Sequence, residues 1–325
     1  IYFCYMIVVT GACGFIGSCL VSLLNDQGIN NLILVDDFTS TDKNKNILNK
    51  SFEKQIHRQD FISWFSMNYN QVDEIYHIGA RTDTSEVNQR IFDDLNLNYS
   101  KDIWKICSSF NIPIIYASSA ATYGLCDSGY LDDESNLDML RPLNAYAQSK
   151  HDFDRWVITQ GNNPGFWAGF KFFNVYGPNE YHKSRMASVV FHAFNSIQKD
   201  GSMRLFRSHN LDYKDGYQSR DFIYVKDVVS VLFSMMQMKR SSGIYNLGTG
   251  HARSFLDLTK SVYISLNKTP NISFIDTPKD IRETYQYFTQ ANMSKLLSVL
   301  NHDFYSLEEG ISDYVDNYLL KEKYL

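Results

Sequence analysis

Tyr146 and Lys150 stand four residues apart in AYAQSK, a spacing that puts both side chains on one face of a helix. A phenol with an ordinary pKa of about 10 is a poor base at neutral pH. A nearby ammonium favours the phenolate, which can then take a proton from a substrate hydroxyl. Upstream, YASSAATYG (116–124) carries Ser119 at the end of an apolar run, where its hydroxyl can hold the same substrate oxygen in line. Each piece alone is commonplace: Tyr-x-x-x-Lys recurs by chance on helices, and a serine at a strand end is an ordinary turn former. Together they point to interconversion of an alcohol and a carbonyl, which needs a hydride carrier.

A site for that carrier lies at the start of the chain. Thr10-Gly11-Ala12-Cys13-Gly14-Phe15-Ile16-Gly17 follows an apolar run and opens a helical one, the setting in which such glycines bind a dinucleotide. Gly11 and Gly14 let the backbone turn close to a pyrophosphate, and Gly17 lets the helix pack on the sheet. The pyrophosphate then meets the free N–H groups of the helix start. Asp36, 19 residues beyond Gly17, ends the next apolar run and is placed to accept ribose hydroxyls. Alone it favours NAD, since it would repel a 2′-phosphate. Lys43 and Arg58 could offer compensating charge, although each reads more readily as solvated surface, so the residues leave the phosphate preference open.

The elements that must position these groups can be read from periodicity. A strand, a glycine turn and a helix cover 8–24, with further strands at 31–37, 74–79 and 113–118 and an amphipathic helix over 91–110. Continuous apolar strands alternating with helices predict a parallel sheet covered on both faces, and right-handed crossovers make it doubly wound and Rossmann-type. Later come helices at 146–159, 186–198, 227–238 and 306–320, and strands at 168–175, 221–225 and 271–276. The expected α/β architecture is a dinucleotide-binding domain from 1–173 and 221–250, with a smaller mixed α/β substrate lobe from 174–220 and 251–325.

Bulk properties exclude other classes. The chain has 325 residues, 44% hydrophobic and 21% charged, as in soluble globular proteins. A net charge of −5 gives no electrostatic case for nucleic acid. Five cysteines (Cys4, Cys13, Cys19, Cys107, Cys126) are an odd number without a Cys-x-x-Cys pair, so neither a disulfide framework nor a metal site is expected. The apolar run 1–9 lacks a basic flank and a cleavage site and is too short to span a bilayer. A cytoplasmic protein without a membrane partner is expected.

Ser119, Tyr146, Lys150 and the glycine motif resemble the extended short-chain dehydrogenase/reductase superfamily over most of the first 175 residues. Ala120 and Ala121 stand where sugar-nucleotide 4,6-dehydratases carry acidic residues, so dehydration is disfavoured. FFNVYGPNEYHKSRMASVVFH (172–192), SRDFIYV (219–225), GIYNLGTG (243–250) and YQYFTQAN (285–292) resemble the ADP-L-glycero-D-manno-heptose 6-epimerases, nearly end to end. That resemblance implies inversion at C6 of an ADP-heptose for lipopolysaccharide biosynthesis, on NADP with NAD as the alternative, by a homopentamer. It implies Lys183 as the second proton-transfer group opposite Tyr146, although a loop lysine is otherwise a solvated charge. It further implies Ser119, Asn174, Arg185, His192, Phe206, Arg220 and Tyr285 at the substrate. Phe15, Ile16, Asp36, Asp37, Lys43, Arg58, Asn96, Lys150 and Val175 fall at cofactor positions beside Gly11, Gly14 and Gly17. The chain departs from the family wording at Arg185, at Arg207-Ser208-His209 and in an insertion at 211–218.

Two other readings stand beside this one. A UDP-hexose 4-epimerase predicts turnover of UDP-sugars and indifference to Lys183. A non-catalytic nucleotide-binding scaffold predicts loss of the tyrosine or lysine, and both are present.

Overall fold

Alternate residues of the same strands bury into opposite faces, which is why those strands read as continuously apolar. Ile7, Val9, Leu32 and Leu34 enter one core, whereas Val8, Ile33, Val35 and Ile75 enter the other. The computed structural model describes residues 6–84, 86–125, 129–282 and 285–325. Cys4 and Cys126 lie outside the described residues, and Cys13, Cys19 and Cys107 are buried thiols.

Twelve strands are described: β1 (Ile7–Thr10), β2 (Leu32–Asp36), β3 (Lys54–His57), β4 (Glu74–His77), β5 (Ile114–Ser119), β6 (Trp167–Phe172), β7 (Asn174–Tyr176), β8 (Met203–Phe206), β9 (Ser219–Tyr224), β10 (Gly243–Leu247), β11 (Ala252–Ser254) and β12 (Ile272–Ile275). Seven form one sheet in the order β3-β2-β1-β4-β5-β6-β10, and every pairing in it is parallel. The strand order reverses between β1 and β4, the switch point beyond whose carboxyl strand ends sheets of this kind bind their ligands.

The expected strand at 168–175 is two strands. β6 stays in the main sheet, and β7 joins β9 and β11 in a smaller one after a single intervening residue, Phe173. The Phe173 N–H donates to the Leu247 carbonyl at 3.0 Å, which fixes the crossing. β9 therefore lies in the small sheet, while β10 returns to the main one beside β6; β8 and β12 form a separate parallel pair.

The helix expected over 91–110 is interrupted by a π-helical stretch, Asp93–Asn98, before it continues over Tyr99–Phe110. Such bulges redirect a side chain, and here the redirected residue is the buried Asn96. The helix expected from 186 starts at Val189, because the Ser188 hydroxyl accepts from the Phe191 N–H and caps it. Among the described residues no helix is long and apolar enough to cross a membrane.

Candidate active site

The cofactor end is built from backbone. Gly11 has φ +68°, and a Cβ on it would fall 2.5 Å from the Gly79 Cα. A Cβ on Gly17 would fall 2.1 Å from the Gly11 carbonyl oxygen. Only glycine fits either place. Gly14 caps the helix Phe15–Asp26 without a side-chain hydrogen bond, which leaves the first N–H groups without a side-chain cap and free for an anion. This cradle fits a dinucleotide pyrophosphate.

Asp36 is more of a brace than the sequence suggests. It is buried; Oδ2 accepts the Cys13 N–H of the glycine turn at 2.8 Å, and Oδ1 accepts the Asp37 N–H at 2.7 Å and the Lys43 ammonium at 2.5 Å. Asp37 accepts from the Thr39 hydroxyl at 2.6 Å and faces Arg58 at 3.3 Å and His57 at 3.7 Å. The Thr39 hydrogen bonds, then Arg58 and His57, hold Asp37 below the usual carboxylate range. Each carboxylate is thus matched by a cation.

Ser119, the last residue of β5, accepts the Ala121 N–H at 3.1 Å and stands close enough to the Tyr146 phenol to influence its ionisation. Tyr146 stands in the first turn of the helix Ala145–Ile158, whose start is fixed by the Asn144 side chain accepting from the Ala147 N–H at 2.8 Å. One turn on, the buried Lys150 donates to the Ala117 carbonyl at 2.7 Å. Burial lowers its pKa to about 8, against the pull of Asp154. Burial also raises the Tyr146 phenol above its ordinary value, with the Ser119 hydroxyl opposing. The sequence predicts that Lys150 eases ionisation of Tyr146; in the structure one of its three N–H groups is taken by a strand carbonyl.

Lys183 sits in a tight 3-10 turn, Tyr181–Met186, that contains Ser184 at φ +47°. Its ammonium lies 5.3 Å from the centre of the Phe15 ring, at the start of the cofactor helix. Among the described residues it makes no hydrogen bond or ion pair. Burial lowers its pKa, and the buried Glu180 opposes. Glu180 in turn anchors the turn, accepting the Ser188 N–H and hydroxyl at 2.5 and 2.7 Å. Arg185 is exposed and reaches Asp83 at 3.4 Å, while His192 lies 3.4 Å from the Arg185 carbonyl. Asn174 is exposed and Val175 half-buried on β7; Ile16 packs on the core beside Phe15.

A second cluster surrounds Arg220 on β9. This guanidinium is 8% exposed; it donates to the Ser219 carbonyl at 2.9 Å and to the Gln286 carbonyl, and lies over the Phe255 and Tyr285 rings at 5.5 and 5.4 Å. Phe206 meets Tyr285 edge-on at 6.4 Å. No described carboxylate neutralises Arg220, so its buried guanidinium has the chemistry to pair with an anion such as a diphosphate. The Gln286 side chain donates to the Gly124 carbonyl at 2.5 Å, which ties this cluster to the turn after Ser119. The 207–217 loop closes on itself. Asp215 accepts the Ser208 N–H at 2.8 Å and the Arg207 Nε at 3.3 Å, and the Tyr213 ring lies 5.2 Å from that of Tyr287.

Several residues escaped the sequence reading. Lys171 on β6 and Asp154 on the Tyr146 helix form a fully buried ion pair at 2.7 Å, and Tyr116 and Ser118 also donate to Asp154. Lys171 donates to the Thr122 hydroxyl at 2.6 Å, which donates to the Ser119 carbonyl at 2.8 Å. Asp154 lies four residues after Lys150, a helical spacing that could have flagged it. Thr10, His77 and Ser149 also join the site, and nothing in an apolar strand context marks His77.

Residues 7–248 match the model of the NAD dependent epimerase/dehydratase family. The chain is similar to an ADP-L-glycero-D-manno-heptose-6-epimerase from Fusobacterium nucleatum, 44% identical across 98% of this chain and 99% of that one. It is similar to another of that name from Nitratidesulfovibrio vulgaris, 42% identical across 97% and 98%. Among solved structures, the Helicobacter pylori ADP-L-glycero-D-manno-heptose-6-epimerase aligns with a TM-score of 0.81 at 26% identity, covering 96% of each chain. A UDP-N-acetylglucosamine 4-epimerase from Methanobrevibacter ruminantium aligns with a TM-score of 0.82 at 23% identity, over 98% of this chain and 99% of that one, and shares the fold. With a parallel Rossmann sheet, a glycine cradle and near full-length likeness, the chain belongs to the NAD dependent epimerase/dehydratase family and, within it, to the ADP-L-glycero-D-manno-heptose-6-epimerases.

Proposed function

We propose that the protein inverts C6 of an ADP-linked heptose, interconverting ADP-D-glycero-D-manno-heptose and ADP-L-glycero-D-manno-heptose. The observation that carries this reading is Lys183, whose ammonium forms no ion pair among the described residues and lies over Phe15 at the start of the cofactor helix, in a chain that also has Tyr146. A bound nicotinamide dinucleotide supplies a reversible hydride acceptor, and because oxidation and reduction cancel, no reduced cofactor accumulates.

The chain's own residues supply the rest. Tyr146 exchanges a proton with the C6 oxygen from one face, with Ser119 holding that oxygen in line. Lys183 does so from the other face, and the burial that lowers its pKa makes the neutral amine accessible. Arg220, with Phe206 and Tyr285, receives the diphosphate end, and Asn174, Arg185 and His192 line the sugar. Gly11, Gly14, Phe15, Ile16, Gly17, Asn96, Lys150 and Val175 hold the dinucleotide.

NADP is the proposed carrier. Asp36 is already saturated by the Cys13 N–H and the Lys43 ammonium, and Lys43 and Arg58 bring two cations to the place where a 2′-phosphate would sit. The same reading places a cytosolic homopentamer in lipopolysaccharide core biosynthesis; analytical ultracentrifugation checks the assembly.

The test is NMR of the purified protein with ADP-D-glycero-D-manno-heptose. A mixture of the two C6 epimers is expected without added reductant. Absence of conversion with cofactor bound, together with turnover of a UDP-hexose, would overturn the reading in favour of a 4-epimerase.

A further inference from the structure

His77 ends β4 at the strand-order switch, buried, between two hydroxyls. Nδ1 lies 2.7 Å from the Thr10 Oγ1 and Nε2 2.8 Å from the Ser100 Oγ. The proton on the ring follows from counting donors. The Ser100 hydroxyl has one hydrogen, and it donates that hydrogen to the Asn96 carbonyl one helical turn back. Ser100 can therefore only accept from His77, so Nε2 carries the proton. Nδ1 is then an acceptor and takes the Thr10 hydroxyl hydrogen. The Thr10 oxygen accepts the Gly79 N–H at 3.1 Å, so each hydrogen is used once. Burial, with the Lys150 charge adding to it, pushes the imidazole down to about 3 and keeps it neutral.

Both ends of this chain reach the active site. At one end Gly79 presses on Gly11, where a Cβ on Gly79 would fall 2.9 Å from the Gly11 nitrogen. At the other end, Asn96 accepts the Arg81 N–H at 2.8 Å and donates to the Arg81 carbonyl and the Ser149 hydroxyl, each at 3.0 Å. Ser149 donates to the Tyr146 carbonyl at 2.7 Å. The π-helical stretch at 93–98 is what places Asn96 to bridge these partners.

We propose that His77, held as the neutral Nε2–H tautomer, is a positioning residue that couples the cofactor turn at Gly11 and Gly79 to the helix carrying Tyr146, through Ser100, Asn96 and Ser149. This rests on the reading of Tyr146 as a proton-transfer residue. It assigns His77 no contact with substrate and no proton transfer of its own.

Two measurements test it. Nitrogen-15 NMR of the ring should show a protonated Nε2 and an unprotonated, hydrogen-bonded Nδ1; the opposite tautomer overturns the proposal. A double-mutant cycle then combines His77→Leu with Ser149→Ala, reading NADPH affinity and kcat. Each single change should lower both by roughly three- to thirtyfold, and the double change by little more than the worse single one. Losses that multiply overturn the coupling. If His77→Leu does not fold, Ser100→Ala replaces it in the cycle, because it breaks the next link without opening a large cavity. If the wild type fails to convert ADP-heptose, the proposed function falls, whereas the tautomer and the NADPH cycle still decide this inference.

Discussion

The ammonium of Lys150 donates to the backbone carbonyl of Ala117, 2.7 Å away and two residues before Ser119 on the same strand. A helix side chain thereby fixes the strand end that carries the serine hydroxyl, and Tyr146 is held against Ser119 from the same helix. The arrangement stores a charge in a buried place, and that has a measurable pH signature.

Lys150 has a folded pKa of about 8 against 10.5 for the free side chain. Between those values the unfolded chain holds a proton that the folded chain lacks, so stability contributed here rises with pH across that window. Below about 8 both states are protonated, and the burial penalty is fully present. Replacing Lys150 by Met should remove up to ~1.4 kcal/mol per pH unit from the stability slope of the ligand-free protein. Urea unfolding at pH 7 to 10 checks this, and equal slopes for the two proteins would contradict it.

Removing the phenol hydroxyl in Tyr146→Phe should lower kcat by ~10²–10⁴ while leaving the melting temperature nearly unchanged. Lys183→Met should lose a similar factor. Lys183→Arg should not recover it, since a guanidinium does not give up its proton. Steady-state conversion followed by NMR reads all three; full activity in Tyr146→Phe would end the proposed mechanism.

The phosphate preference is open to calorimetry. Lys43→Ala combined with Arg58→Ala should weaken NADPH binding by about tenfold or more, because charge-assisted contacts are lost and Asp36 and Asp37 are left unmatched. NADH binding should change far less. Equal losses for the two cofactors would mean that neither cation reads the phosphate.

The largest stability loss is expected inside the sheet. Lys171→Met leaves Asp154 buried and uncompensated and should cost about 3–5 kcal/mol. Adding Asp154→Asn should restore part of that loss, because the orphaned charge disappears. Chemical denaturation of both variants measures the difference, and a double variant less stable than Lys171→Met would contradict the argument.

What the sequence could reveal depended on whether function needs a residue type or a three-dimensional partner. Gly11 and Gly17 were legible because a backbone packed so closely that an added Cβ would fall 2.5 Å or less from its neighbour tolerates no side chain. Tyr146 and Lys150 were legible because helical spacing aligns them downstream of the glycine motif and Ser119. The break between β6 and β7 was not, since Phe172, Phe173 and Val175 keep the run apolar while the chain changes sheets. The edge strand β3, KQIH, has one buried residue and no alternation to detect. Lys171 sits in an apolar run, and the carboxylate that makes its burial tolerable lies 17 residues away on a helix. Asn96 was assigned to the cofactor by likeness, yet its reach to Arg81 and Ser149 depends on a π-turn with no sequence signature.

The self-closed loop at 207–217 has a consequence for how such a site diversifies. Its turns are tied by its own Ser208, Asn210 and Asp215, and its outer ties run from Arg207 to Asp276, Ile275 and Thr277, from His209 to Tyr287 and Thr277, and from the Gly216 carbonyl to the Leu256 N–H. None of these reaches Ser119, Tyr146 or Lys150. Under the proposed function, changes in this loop should therefore alter recognition at the Arg220 end while leaving the geometry around Ser119, Tyr146 and Lys150 in place.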